Sequence, residues 1–200
     1  MGDLWWTEED ESFETGDVTK IVQEMVGRKI RLVSSHWSTN SRKEYLYFPD
    51  LGWSSKRGMV LSWKDEVQED ILSKSQFLVE AVPNQEDQIR LISVRWSTNS
   101  RKEYLYSPTI DAADERRMVL LWKGKVQEDI LSKSRYVVEK VPGKDNQIRL
   151  ISVHWSTNSH KEYLYSPAID WSKKRRMFLS WKGDVQKDIL SKSRYLISID

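Results

Sequence analysis

The sequence predicts an all-β fold assembled from tandem four-stranded units, and three observations lead there. The first is an internal repeat. Trp37, Trp96 and Trp155 open the words WSTNSRKEYLY, WSTNSRKEYLY and WSTNSHKEYLY at a constant spacing of 59 residues. Residues 88–136 match residues 147–195 at 38 of 49 positions without a gap. Second, each copy holds four short runs of β-branched, aromatic and leucine residues between turn residues, the pattern of short strands. Third, proline falls where these runs stop, at Pro108 and Pro142. It cannot donate to a ladder there, so it suits strand ends.

The units divide as 29–87, 88–146 and 147–200, with 1–28 left as a degraded half copy. The middle unit shows the elements best. Gln88–Val94 is the first strand, with Ile89 and Leu91 on one face and Arg90, Ile92 and Val94 on the other. Lys102–Tyr106 is the second, and its alternation sets Tyr104 and Tyr106 opposite Glu103 and Leu105. Arg117–Trp122 is the third, with Met118, Leu120 and Trp122 sharing one face. Met59, Leu61, Trp63 and Met177, Leu179, Trp181 repeat that face, and large apolar residues so aligned predict core. Val126–Leu131 has room for a single helical turn, and Arg135–Val141 is the fourth strand. Ahead of the first unit, Leu4-Trp5-Trp6 and Lys20–Gly27 stand in the register of strands three and four.

Three units of four strands resemble the β-trefoil superfamily. The run Tyr136-Val137-Val138-Glu139-Lys140-Val141-Pro142-Gly143, followed by Ile148-Arg149-Leu150 and Tyr163-Leu164-Tyr165, is similar to its fascin-like and agglutinin-like branch. The resemblance covers residues 29–199 and implies a pseudo-threefold barrel that binds sugars or other proteins. The ricin-type Gln-x-Trp signature is absent, so that family's sugar site is not carried over. The extra half copy fits a trefoil if it is disordered, covers an edge, or exchanges between subunits as a homodimer. The alternative assembly is a β-propeller-like one, in which four-stranded blades are completed by dimerisation.

Composition narrows the function. The formal net charge is +2, with 32 Lys and Arg against 30 Asp and Glu. That is far from the basic stripe of a phosphate-backbone binder, so no nucleic-acid partner is expected. No apolar run approaches the roughly 18 residues of a membrane span. The start, with Trp5, Trp6 and the acidic run Glu8-Glu9-Asp10-Glu11, lacks the basic and apolar stretches of a signal peptide. Cysteine is absent, and so is an N-glycosylation sequon, which together point to a cytoplasmic protein.

No catalytic set or metal site emerges, and no cofactor is implied. The histidines are His36, His154 and His160, and the middle copy has Arg95 and Arg101 at the corresponding places. An imidazole missing from one copy makes a poor shared general base. Phosphate loops and nucleophile elbows are also lacking.

What remains is binding. Trp37, Trp96 and Trp155 stand where the first strand enters the polar loop carrying Asn40, Asn99 and Asn158. An aromatic ring beside amides and charges suits a pyranose, whose C–H face covers the ring while polar partners read its hydroxyls. The competing role is a ring capping the end of a barrel. Glu44, Glu103 and Glu162 offer carboxylates to sugar hydroxyls, the alternative for this segment being a cross-strand Lys–Glu ion pair on an exposed face. Trp53 and Trp171 lie in the loop between strands two and three, where the middle copy has Ala112, so the three sites need not be equal. These residues predict a multivalent lectin for glycans or glycoproteins. The alternative is a protein-interaction or filament-binding module of fascin-like type.

Overall fold

A computed structural model describes residues 18–49, 56–62, 69–108, 117–121, 128–167, 175–180 and 187–200. Trp5, Trp6, Trp53, Trp63, Ala112, Trp122, Trp171 and Trp181 lie outside the described residues. The first copy contributes β1 (Lys29–Ser34), β2 (Leu46–Tyr47), β3 (Lys56–Gly58), β4 (Val60–Leu61) and β5 (Phe77–Val82). The second contributes β6 (Gln85–Ser93), β7 (Leu105–Tyr106), β8 (Val119–Leu121) and β9 (Tyr136–Lys140). The third contributes β10 (Gln147–Ser152), β11 (Leu164–Tyr165), β12 (Arg175–Arg176), β13 (Phe178–Leu179) and β14 (Tyr195–Ile199).

The first and fourth strands of the copies close into a six-stranded antiparallel barrel, in the order β1-β14-β10-β9-β6-β5. Ladder β1–β14 joins the third copy to the first, with Leu32 opposite Ile197, and thereby closes the ring. The second and third strands form hairpins of one shared register, Leu46 with Leu61, Leu105 with Leu120 and Leu164 with Leu179. Third strands also pair between copies, β3 with β8 and β12 with β4, while Arg117 bridges to Phe178. On the pseudo-threefold axis three backbone bonds form a cycle. Met59 N–H donates to Met118 O at 2.9 Å, Met118 N–H to Met177 O at 3.1 Å, and Met177 N–H to Met59 O at 3.1 Å. This is a β-trefoil. A propeller is excluded, because the strands of each copy divide between a shared barrel and a shared cap instead of forming separate blades.

Burial follows the alternation. Ile30, Leu32, Ile89, Leu91, Ile148 and Leu150 fill the barrel, and Met59, Met118 and Met177 meet them from the cap. On the opposite face of the second copy's first strand, Ile92 packs with Tyr104, Tyr106, Val119 and Ile130 in a separate small cluster.

The short helical turn between strands three and four is a six-residue helix in each copy. Helix α1 (residues 18–25) precedes the first copy, and α2 (Glu69–Lys74), α3 (Glu128–Lys133) and α4 (Lys187–Lys192) lie within the copies. Six residues do not hold a helix alone, so outside support is needed. Each helix has an acidic residue in its first turn and a lysine at its end, which complements the helix dipole. The pairs Asp70–Lys74, Asp129–Lys133 and Asp188–Lys192 span one turn at 2.7–2.9 Å. A strand-one arginine then caps each C-terminus: Arg31 Nε donates to Leu72 O, Arg90 to Leu131 O and Arg149 to Leu190 O, at 3.2–3.3 Å. The arginine in Ile-Arg-Leu is thus a tertiary helix cap.

The half copy is where the sequence register misleads. Lys20–Gly27 aligns with a fourth strand, yet residues 18–25 are helical. Val18, Ile21, Val22, Met25 and Val26 follow helical spacing, which places one apolar stripe toward the barrel. Val22 and Met25 are buried in the main core. Gly27, at φ 77°, ends the helix in the left-handed conformation, and its N–H donates to Val79 O at 2.9 Å. The segment packs on its own barrel as a helical plug.

Candidate functional site

The loop WSTNS-x-K-E is built from the backbone outward. Ser34, Ser93 and Ser152, at the ends of β1, β6 and β10, accept from the N–H of Trp37, Trp96 and Trp155 at 3.2–3.4 Å. Ser38, Ser97 and Ser156 accept from the N–H of Glu44, Glu103 and Glu162 at 2.9 Å. Between them Thr98 and Arg101 exchange both backbone bonds, as do Thr39 with Arg42 and Thr157 with His160. Asn and Ser therefore stand at the tip of a tight turn. Asn40, Asn99 and Asn158 are exposed there.

The three tryptophans behind that turn are clamps between copies. Trp37 Nε1 donates to Ser166 O at 3.1 Å, Trp96 to Phe48 O at 3.2 Å and Trp155 to Ser107 O at 2.9 Å. Each indole reaches the preceding copy, cyclically, and packs against the barrel core. Charges cover the rings as well. Lys192 lies 5.7 Å from the Trp37 centroid, Lys133 5.7 Å from Trp155, and Arg95 5.8 Å from Trp96, all cation–π distances. His36 and His154 meet the neighbouring tryptophan edge-on at 4.5 Å. Their Nδ1 atoms lie 2.7 Å from Ser191 Oγ and 3.1 Å from Ser132 Oγ, tying the loop to α4 and α3. The indole N–H groups are committed to contacts between copies.

The glutamates also face inward. Glu44 and Glu103 are fully buried, and each carboxylate takes a bond from the arginine two residues before it, Arg42 at 3.0 Å and Arg101 at 2.7 Å. Glu162 is buried too, but His160 replaces the arginine and turns its Nε2 toward Ser180 O at 3.2 Å. The lysines of this segment pair instead with glutamates of the fourth strands. Lys102 reaches across to Glu80 at 2.7 Å, and Lys161 to Glu139 at 3.2 Å.

Those lysines belong to polar quartets that the loop pattern did not reveal. Glu80 on β5 meets Arg90 on β6, at 3.3 Å, together with Lys102 and the hydroxyl of Tyr104. Glu139 on β9 repeats this with Arg149 at 3.0 Å, Lys161 and Tyr163. The Glu80 carboxylate raises the Lys102 ammonium, with partial burial opposing it. Burial, reinforced by Glu139, pushes the Tyr163 hydroxyl up to about 12. A signal was present in the sequence, because Glu80 and Glu139 lie 59 residues apart in matching fourth strands.

Beside the second quartet lies a surface groove of about 820 Å³. Val137, Ile151 and Val153 make its floor, and Asn158, Lys161 and Glu139 stand at one side. Of the described sequence-predicted site residues, Asn158 alone lines it. Among the described residues no cluster of three or more His, Asp or Glu could hold a metal ion. No helix among them is long and apolar enough to cross a membrane.

No protein-family model and no curated protein matches the sequence. Solved structures match the fold. The GlcNAcα1-4Gal-releasing endo-β-galactosidase of Clostridium perfringens aligns at 13% identity and TM-score 0.51, over 86% of this chain. The chain spans about a third of that enzyme's length, 32%. A GH54 α-L-arabinofuranosidase aligns at 12% identity and TM-score 0.55, over 86% of this chain and 31% of its own. The BEL β-trefoil aligns at 12% identity and TM-score 0.51, over 88% of this chain and 94% of its own.

Proposed function

We propose that this protein is a multivalent carbohydrate-binding β-trefoil with up to three quasi-equivalent sites, one per repeat. One observation carries the reading. Three polar turns of the same construction, each tipped by an exposed asparagine and flanked by an exposed lysine, are held rigid at 59-residue intervals on a closed barrel. Preorganised amide and ammonium donors suit hydroxyl-rich ligands, since little ordering is left for binding to do. Asn40, Asn99 and Asn158, with Lys43, Lys102 and Lys161, are the contacts in this reading. Trp37, Trp96 and Trp155 and the buried Glu44, Glu103 and Glu162 position the turns from behind. Trp53 and Trp171 keep their proposed place as walls of the outer sites. The fold likeness to two enzymes named for their sugar substrates is in keeping with this.

A glycan array probed with the intact chain tests it, together with agglutination of glycan-coated beads. The expected result is saccharide-inhibited binding that the combined variant Asn40→Ala, Asn99→Ala, Asn158→Ala abolishes while the fold is kept. Binding to protein filaments that no saccharide inhibits would replace this reading with the scaffold one. Weak single sites would gain strength through simultaneous engagement, so a variant with one turn intact should lose agglutination before it loses monovalent binding.

A further inference from the structure

We infer that the groove between the second and third copies is the principal saccharide site, and that it takes a neutral sugar unit carrying a compact aliphatic group. The shared chemistry is a methyl, from either an acetamido or a 6-deoxy sugar. This rests on the carbohydrate-binding reading and deepens it.

Four features meet in the groove. Its size, about 820 Å³, is that of a small-molecule site. Its floor is aliphatic, made by Val137, Ile151 and Val153. A pyranose face stacks best on an aromatic ring, and among the described residues none that lines this groove is aromatic. The isopropyl floor instead accommodates a compact methyl group. The rim offers both hydrogen-bonding polarities: the Asn158 amide and Lys161 ammonium donate, and the Glu86 and Asp87 carboxylates accept. Glu139 is already bonded to Arg149 and Lys161, so the quartet fixes the rim before a ligand arrives. With the two signs nearly balanced, a neutral ligand fits better than an ionic one.

The groove also has a wall that repetition does not supply. Val18 and Thr19, at the start of α1, line it. In the repeat register α1 occupies a fourth-strand position, and the described fourth strands of the three full copies are β5, β9 and β14. The half copy thereby gives this junction a binding surface that the other two junctions do not share. The three sites are unequal for this reason as well as through their loops.

The test is a titration of the isotope-labelled intact chain with N-acetylglucosamine, N-acetylgalactosamine and L-fucose, against their plain counterparts glucose, D-galactose and L-galactose. Amide shifts are expected to centre on residues 137–139, 151–158 and 18–19. A methyl-bearing sugar should bind roughly fourfold more tightly than its plain counterpart, the effect of burying one methyl. Val153→Lys should remove binding, Lys161→Ala should weaken it about tenfold, and Lys29→Ala, at an exposed residue outside the groove and the turns, should leave it unchanged. Because Val153→Lys could unsettle the strand end, Lys161→Ala, at an exposed side chain, supplies the independent check. Saccharide binding with shifts confined to residues 39–43 or 98–102 would overturn the groove and leave the lectin reading standing. Equal affinity for glucose and N-acetylglucosamine would overturn the methyl assignment. No saccharide binding at all would overturn both readings.

Discussion

The first copy and the two later copies share one hydrogen-bonding frame, but they fill it with different chemistry. In the later copies a buried tyrosine and a buried serine occupy equivalent places, Tyr136 with Ser107 and Tyr195 with Ser166. Tyr136 donates to Leu105 O at 3.1 Å and Tyr195 to Leu164 O at 2.8 Å. The first copy has Phe77 and Phe48 there, with ring centroids 6.1 Å apart and edge-on. The outer surface differs in the same sense. Arg90 and Arg149 pair with fourth-strand glutamates, whereas the corresponding position on β14 is Ser198. Arg31 pairs with Asp200 instead, and Gln76 joins that carboxylate. Exchanged residues thus come in compensating sets. On the outer surface the charge pairing is kept while the residues that provide it change.

The strongest way to break that comparison is to mix the sets. Phe48→Ser alone should cost about 3 kcal/mol, because it opens a cavity beside the fully buried Phe77. Adding Phe77→Tyr should recover part of the loss, since the new hydroxyl would lie near the Leu46 carbonyl as Tyr136 does near Leu105. Urea unfolding of the single and double variants measures the coupling, and strictly additive losses would show that the two positions are independent.

Next in size is Arg149→Ala, which removes a helix cap and the partner of Glu139 together. The expected loss is about 2 kcal/mol, with fraying of α4 visible as faster amide exchange. Arg31→Ala should fray α2 in the same way, because Arg31 caps Leu72 while Asp200 stands in for the missing glutamate.

Alkaline pH sharpens the contrast by titration. Burial raises the hydroxyls of Tyr136 and Tyr195 well above the usual tyrosine range, and that of Tyr163 to about 12. A raised folded pKa means that the unfolded chain ionises first, near the ordinary value of about 10. The contribution of Tyr163 to stability is therefore intact below pH about 10 and lost as pH rises toward about 12. Phe77, which stands where the later copies have Tyr136 and Tyr195, has no hydroxyl to ionise. Tyr163→Phe should flatten the decline, read as the unfolding midpoint against pH.

Smaller effects follow at single hydroxyls. Tyr136→Phe should cost about 1 kcal/mol, the worth of one buried hydrogen bond. The Ser107 and Ser166 hydroxyls are buried without a hydrogen-bond partner among the described residues. Ser107→Ala should consequently be neutral or slightly stabilising, because a desolvated, unpaired hydroxyl contributes nothing to offset its burial. A large loss there would reveal a bound water.

Much of this was legible beforehand for a physical reason. Side-chain alternation in a strand is local, so Ile89 and Leu91 in the sequence already place the barrel face, and a 59-residue recurrence already counts three units. Local periodicity also held the truth about α1. Val18, Ile21, Val22, Met25 and Val26 spell a helix, and the register with the fourth strands concealed it. The polar turn was only half legible. Exposure of Asn40, Asn99 and Asn158 follows from a polar turn, but the fate of each tryptophan depends on a carbonyl contributed by another copy.

The sequence by itself determined the unit, its strands and the polar turns, since each depends on residues within a few positions of one another. Tertiary structure alone decided that the units close on one another as a barrel, with Met59, Met118 and Met177 joined around the axis. It also decided that the indoles serve as clamps, that Glu44 and Glu103 are buried with arginines, and that Glu139 and Lys161 stand beside a groove. Ring closure brings residues more than a hundred positions apart into hydrogen-bonding distance, as with Trp37 and Ser166. No local pattern records which partner a side chain will meet there.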